Sequence, residues 1–202
     1  MHLEEKGGTL KTIYLPVEAF DLFFWGDEGV IPEWLPKEMV VHVSEDVLTE
    51  MNDIPDYPLE ERLGWTLGGH LREKFPISWW EYVSLRRRQK KMAFLLAHGG
   101  VGRDGEWYLQ DGNSTQRMQE WIDEHDGKFA CLVIFSCNPG HITVSSRRSL
   151  LVIADRDVTL REGPSGYSFS LIDPKLGEVD DYTIDHRLNE LRGKKREKST
   201  KT

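Results

Sequence analysis

Two apolar segments of this chain end in residues that can do covalent chemistry. Residues 92 to 97 (MAFLLA) stop at His98, and residues 130 to 136 (ACLVIFS) lead into Cys137. A thiol becomes a good nucleophile when a nearby imidazole takes its proton. In open α/β sheets the active groups collect at the carboxyl ends of strands, so neighbouring strands ending in His98 and Cys137 would bring this pair together. The pattern predicts thiol-dependent acyl transfer, with His98 as base and Cys137 as nucleophile.

The glycines beside the histidine suit the same chemistry. Gly99 and Gly100 let the backbone approach a substrate carbonyl closely. The N–H groups of Gly99 and Cys137 are natural donors for the oxyanion that develops during acyl transfer. His141 lies too close to Cys137 along the chain to be the expected base. Cys131 opens its strand at the end away from His98, which favours core packing.

A strand, helix, strand arrangement must position these residues. Continuous apolar runs such as residues 92 to 97 and 130 to 137 are typical of strands buried on both faces. Residues 115 to 124 predict the helix between them, capped by Ser114 or Thr115. Residues 150 to 154 predict a third strand, and this spacing favours parallel strands with right-handed crossovers. We expect a three-layer α/β domain with a mainly parallel sheet of about five or six strands.

The remaining sequence predicts fewer elements. Strands are predicted over residues 9 to 17 and 39 to 43, and a helix over residues 60 to 75. Residues 77 to 90 fit either a helix or a strand. Residues 1 to 38 predict a loop-rich segment, whose aromatic stretch from Trp25 to Trp34 is either a lid for a partner or substrate, or part of the core.

The central region resembles the caspase-like cysteine peptidases, above all the CHAT branch related to separase and clostripain. The matching text is FLLAHGG at 94 to 100, YLQDG at 108 to 112 and LVIFSCNPG at 132 to 140. These segments are similar to the family's strand ending in His-Gly, its later Leu-x-Asp-Gly, and its second strand ending in a cysteine before a small turn. The resemblance covers about residues 90 to 140.

The resemblance implies a caspase-like fold in a single domain over residues 1 to 185. It implies that His98 is the general base, Cys137 the nucleophile and Gly99 an oxyanion donor. Enzymes of this kind hydrolyse peptide bonds in a peptide or protein substrate through a thioester intermediate, with no metal and no cofactor.

Charge is unevenly distributed along the chain. The formal net charge is −8, but residues 186 to 202 hold seven Lys or Arg against two Glu, so the rest of the chain carries −13. A body that acidic repels a phosphate backbone, which argues against nucleic acid as a ligand. The basic residues 186 to 202 predict a solvated, mobile tail.

Four acids near the strand ends are candidates for a pocket that takes an Arg or Lys side chain. They are Asp104, Asp111, Asp155 and Asp157. Asp104 and Asp111 precede glycines and also fit ordinary turns. If these carboxylates face the substrate, cleavage after basic residues is expected.

Composition excludes several other classes of protein. The two cysteines lie too far apart on a strand for a disulfide, and the start of the sequence has no secretory pattern, so a reducing cytoplasm is expected. No apolar run is long enough to cross a bilayer, and no Cys/His spacing predicts zinc. The competing hypothesis is a non-catalytic interaction module on the same fold. A phosphate-binding or esterase-like enzyme that uses the Gly-rich turn is a third hypothesis, although no P-loop or serine elbow accompanies it. The oligomeric state stays open.

Overall fold

The computed structural model describes residues 10–20, 38–52, 57–74, 77–86, 91–138, 143–156 and 167–199. The strands in these ranges are β1 (Lys11–Pro16), β2 (Glu38–Val43), β3 (Met92–Leu96), β4 (His98–Val101), β5 (Trp107–Asp111), β6 (Ser114–Arg117), β7 (Cys131–Phe135), β8 (Leu150–Arg156), β9 (Tyr167–Asp173) and β10 (Gly177–Val179). The α-helices are α1 (Glu45–Asn52), α2 (Leu59–Lys74), α3 (Ile77–Arg86), α4 (Met118–His125) and α5 (Asp181–Ser199), and a short 3-10 helix covers Val17–Phe20.

A mixed sheet of seven strands forms the centre of the described residues. Its order is β1-β2-β3-β7-β8-β9-β10, with β2, β3, β7 and β8 mutually parallel. The predicted α/β class is confirmed, and four of the seven strands are parallel, although the expected number of about five or six strands is too low. The outer pairs, β1–β2, β8–β9 and β9–β10, are antiparallel. The β9–β10 pair has this direction because a tight turn joins its strands.

The central strands feed two cores, one on each face of the sheet. Phe94 and Val133 face a core completed by α2, α3 and α5, whereas their neighbours Leu95 and Ile134 face a core completed by α4 and β5. This alternation follows from the two-residue period of a strand. Since both faces are covered, the central strands are apolar throughout, and the molecule has three layers.

The segment that fitted a helix or a strand is the helix α3. Its buried side chains are Trp79, Trp80, Tyr82 and Val83. Pairs separated by three or four residues share one helix face, whereas on a strand these side chains would point to both sides. Burial of two tryptophans against the sheet therefore decides the conformation.

The predicted start of the crossover helix is wrong. Ser114 and Thr115 belong to β6, and α4 begins at Met118 after Arg117, which makes no side-chain capping hydrogen bond. The Ser114 hydroxyl instead donates to the carbonyl of Asp111 at 2.8 Å, within the β5–β6 turn. Gly112 occupies that turn at a φ of 59°, a left-handed conformation that glycine adopts without strain.

The boundary predicted at residue 186 falls inside α5, which continues without a break from Asp181 to Ser199. Ile184 and Leu188 are buried, and the Arg192 guanidinium pairs with Glu81 of α3 at 3.0 and 2.5 Å. This part of the basic segment is therefore packed on the body. Among the described helices, none combines the length and apolarity that a membrane crossing requires.

A histidine pair lies between β2 and α4, away from the strand ends. The ring of His42 lies 4.7 Å from that of His125 and 5.8 Å from that of Trp121, between centroids. Its Nδ1 is 3.3 Å from Thr12 Oγ1, while its buried Nε2 has no hydrogen-bond partner among the described residues. Burial, with the nearby His125, lowers the pKa of His42 to about 4.

We expect the free energy of unfolding to decrease as the pH drops below 6.5, the pKa of a histidine in the unfolded chain. Between pH 6.5 and about 4, the unfolded chain takes up a proton at His42 that the folded chain does not, so stability is complete above this window and is lost within it. Allowing for solvent screening, the loss is roughly 2 kcal/mol. Urea denaturation at pH 7 and pH 4.5 measures it. The His42→Gln variant should show the smaller loss, and the exposed His186→Gln control should match the wild type. Equal losses in wild type and His42→Gln would contradict the assignment.

Candidate active site

His98 and Cys137 leave the sheet at the same edge, from neighbouring strands. Leu96 of β3 pairs with Phe135 of β7, and the Ala97 N–H donates to the Phe135 carbonyl at 3.2 Å. His98 and Cys137 each follow that pair by two residues. Both are partly exposed, whereas Cys131 is fully buried, and neither cysteine forms a disulfide. The structure thus places the predicted base and nucleophile on adjacent strand ends.

His98 begins a strand, where the sequence predicted a turn. β4 pairs antiparallel with β5, from His98 opposite Gln110 to Val101 opposite Trp107. β5 then pairs with β6, so a small three-stranded sheet follows β3. The two glycines predicted a turn because glycine is rare in strands, but at this position Gly99 allows β4 to pack closely on the end of β7.

Glu50 of α1 contacts the candidate base, and sequence reasoning missed it. Glu50 Oε1 lies 2.8 Å from His98 Nε2. The carboxylate therefore orients the imidazole and leaves Nδ1 for a second partner. Since the side chains of His98 and Glu50 are 44% and 65% exposed, water screens their attraction. One sequence signal could have found Glu50: α1 follows β2, which runs parallel to β3, so α1 begins at the same edge of the sheet as His98.

Asp111, predicted as a pocket acid, is buried and anchors α1. Its Oδ1 accepts the N–H of Glu45 at 2.9 Å, at the first residue of the helix. Asp46 Oδ2 accepts the N–H of Gly112 at 3.1 Å in return. These bonds tie the helix that carries Glu50 to the β5–β6 turn. The carboxylate also satisfies a helix N-terminus, which carries unpaired N–H groups and positive potential.

The backbone around Cys137 is packed tightly against β4. A Cβ added to Gly99 would overlap Ser136 Oγ and the carbonyl oxygen of Cys137, and would lie 3.0 Å from Trp107 Nε1. Trp107 Nε1–H donates to that same carbonyl at 2.8 Å. Gly99, predicted as an oxyanion donor, thus lies directly against the backbone of Cys137, the predicted nucleophile. Because β4 is an edge strand of its small sheet among the described residues, alternate N–H groups point away from β5.

Asp104 lies in a surface groove beside Gly99. The groove has a volume of about 760 Å³, and Gly100, Tyr108 and Arg117 are among its lining residues. Asp104 accepts bonds from the Tyr108 hydroxyl at 2.7 Å and from Arg117 Nη2 at 3.1 Å. The pKa of Asp104 is lowered, first by the bond from Tyr108, then by backbone N–H donation, with a smaller contribution from Arg117. The Arg117 guanidinium balances the charge that Asp104 was predicted to offer a substrate.

The side chains of the other predicted site residues are not described by the structure. Asp155 lies near the end of β8, but its side chain is outside the described part of the structure. Asp157, His141 and the aromatic stretch from Trp25 to Trp34 lie outside the described residues. In the portion of the chain that is described, no three His, Cys, Asp or Glu residues group as ligands for a metal ion.

No protein-family model, curated protein or solved structure matches this chain.

Proposed function

We propose that this protein is a cysteine peptidase of the caspase-like type. The observation that supports it most directly is His98, held by Glu50 at the end of β3, beside the strand end that carries the partly exposed Cys137. An imidazole and an accessible thiol that leave the sheet at adjacent strand ends are the two groups that covalent acyl transfer requires. The small sheet after β3 also packs Gly99 against the backbone of Cys137.

In the proposed reaction, the imidazole of His98 removes the thiol proton, and Cys137 Sγ attacks the peptide carbonyl carbon. The oxyanion that forms is stabilised by the N–H groups of Gly99 and Cys137. The carbon–nitrogen bond then breaks as His98 passes its proton to the leaving amine, and a thioester remains. Water, losing a proton to His98, attacks the thioester, which releases the carboxylic acid and returns the proton to the thiol. Glu50 stabilises the imidazolium at both stages.

Cleavage after Arg or Lys is a second part of this proposal. Of the four predicted pocket acids, Asp104 lines the groove next to Gly99, whereas Asp111 is engaged with α1. A basic substrate side chain would have to share Asp104 with Arg117. The proposed preference is therefore tested with a peptide library that contains basic, acidic and apolar residues at the cleaved position.

Iodoacetamide labelling of the native protein between pH 5 and 9 tests the pair of residues. An ordinary thiol, with a pKa of about 8.5, is less than about 1% ionised at pH 6 and reacts slowly there. Cys137 is expected to react rapidly at pH 6, and His98→Ala to slow it at least about tenfold. Glu50→Gln should slow it about threefold, as suits an exposed pair, and Glu38→Gln on β2 should have no effect.

Mass spectrometry locates the modified residue, and buried Cys131 serves as the internal control. Any peptide hydrolysis found in the library should be lost in Cys137→Ala. Slow labelling of Cys137, with the pH profile of an ordinary thiol and no dependence on His98, would contradict the proposal. That result would favour the alternative, a non-catalytic interaction module.

A further inference from the structure

Trp107 makes a hydrogen bond to the backbone of Cys137, which carries the proposed nucleophilic thiol. It lies on β5, is 1% exposed, and donates its indole N–H to the carbonyl oxygen of Cys137 at 2.8 Å. A buried indole N–H needs an acceptor, and here the acceptor is the backbone of one particular residue. By contrast, the indole Nε1 of Trp121, buried in the same core, has no hydrogen-bond partner among the described residues.

Two groups lie against the Cys137 carbonyl: the Gly99 backbone and the Trp107 indole. Gly99 lies against it so closely that a Cβ has no room, and Trp107 Nε1–H points at it. The neighbouring hydroxyl of Ser136 is buried and makes no hydrogen bond within the described residues. Trp107 therefore helps to hold the peptide group between Cys137 and Asn138.

The orientation of that peptide group matters for the reaction proposed above. A carbonyl oxygen carries partial negative charge, so a carbonyl free to turn toward the reacting centre would oppose a developing oxyanion. Fixing the carbonyl toward Gly99 and Trp107 also restricts the backbone dihedral angles of Cys137, and with them the direction of its thiol.

We propose that Trp107 is a positioning residue for catalysis, acting through its hydrogen bond to the Cys137 carbonyl. This inference rests on the proposed cysteine peptidase function. It adds a residue from a different strand to the pair His98 and Cys137, and it gives a reason for a buried tryptophan on the short strand β5.

Trp107→Phe removes the donor and keeps an aromatic ring, and Trp121→Phe is the matched control. Labelling of Cys137 at pH 6 should fall about tenfold in Trp107→Phe, the effect of one lost hydrogen bond, and should stay within about twofold in Trp121→Phe. The midpoint of the labelling rate against pH should move to higher pH in Trp107→Phe alone. Lower stability in Trp107→Phe with an unchanged pH profile would overturn the proposal, because it would show a role in packing only.

A measurement on the wild-type protein avoids dependence on a folded variant. Alkylating Cys137 should shift the indole N–H resonance of Trp107 in a ¹⁵N–¹H spectrum and leave that of Trp121 in place. An unmoved Trp107 resonance would overturn the inference. Failure of the peptidase proposal is seen separately, as slow, His98-independent labelling of wild-type Cys137.

Discussion

Replacing Gly99 with alanine is expected to lower the free energy of unfolding by about 3 kcal/mol and to abolish fast labelling of Cys137. The added methyl group would overlap Ser136 Oγ and the Cys137 carbonyl, and Trp107 Nε1 lies 3.0 Å from it. Overpacking of a closed site costs about 1–3 kcal/mol, and here backbone atoms are among those that must move. Because β4 and the end of β7 must separate, the Cys137 peptide would lose its place beside Gly99.

Gly100→Ala is the matched control, since a Cβ at Gly100 meets no atom within 4 Å. It should change stability by less than about 0.5 kcal/mol, and labelling should stay at the wild-type rate. Urea denaturation and iodoacetamide labelling at pH 6 measure both effects. If Gly99→Ala were as stable and as reactive as Gly100→Ala, the close packing of β4 on the strand end that carries Cys137 would be wrong.

Asp126→Ala is expected to lower the free energy of unfolding by about 3 kcal/mol. Its carboxylate accepts bonds from the Ser146 hydroxyl and from three successive backbone N–H groups, those of Arg147, Arg148 and Ser149. Removal would leave these donors without their charged acceptor, and bonds to charged acceptors contribute about 1.5–3 kcal/mol each before solvent exposure reduces them. The segment held by Asp126 leads directly into β8.

The effect of Asp126 depends on pH in a defined direction. Burial alone would raise its pKa, but the bonds from Ser146, Ser149, Arg148 and Arg147 outweigh burial and lower it. The ionised carboxylate therefore stabilises the fold above the ordinary Asp pKa of about 3.9, and this contribution is lost as the pH falls below that value. The stability difference between wild type and Asp126→Ala should shrink in acid.

Asp123→Ala serves as the control for this second prediction, because Asp123 is an exposed acid on α4. It removes the same charge and should cost less than about 1 kcal/mol. Denaturation curves at pH 7 and pH 3.5 distinguish the two variants. An equal cost for both substitutions would show that the bonds around Asp126 do not hold the segment before β8.

The apolar runs in the sequence are enough to predict the central strands of the sheet. Strands β3, β7 and β8 are continuous apolar runs because both of their faces are covered, and the connection from β3 to β7, which contains β4 to β6 and α4, joins parallel strands. From those strands alone, His98 and Cys137 are expected at one edge. Local composition is enough to predict these strands because a strand buried on both faces has no exposed position for a polar residue.

The residues that contact His98 and Cys137 could not be predicted from the sequence and follow from the packing of distant elements. Glu50 meets His98 across 48 residues, and Trp107 meets Cys137 across 30, so no local spacing reports either contact. From the sequence, the glycines after His98 predict a turn, but in the fold they form a strand because β5 pairs with them. From the sequence, Asp111 fits a turn or a substrate pocket. Its role as an anchor of α1 appears only when the fold brings the N–H of Glu45 to its carboxylate. Each of these roles arises because a polar group finds its partner only when distant elements pack, and a sequence pattern records periodicity within an element but not the neighbour beyond it.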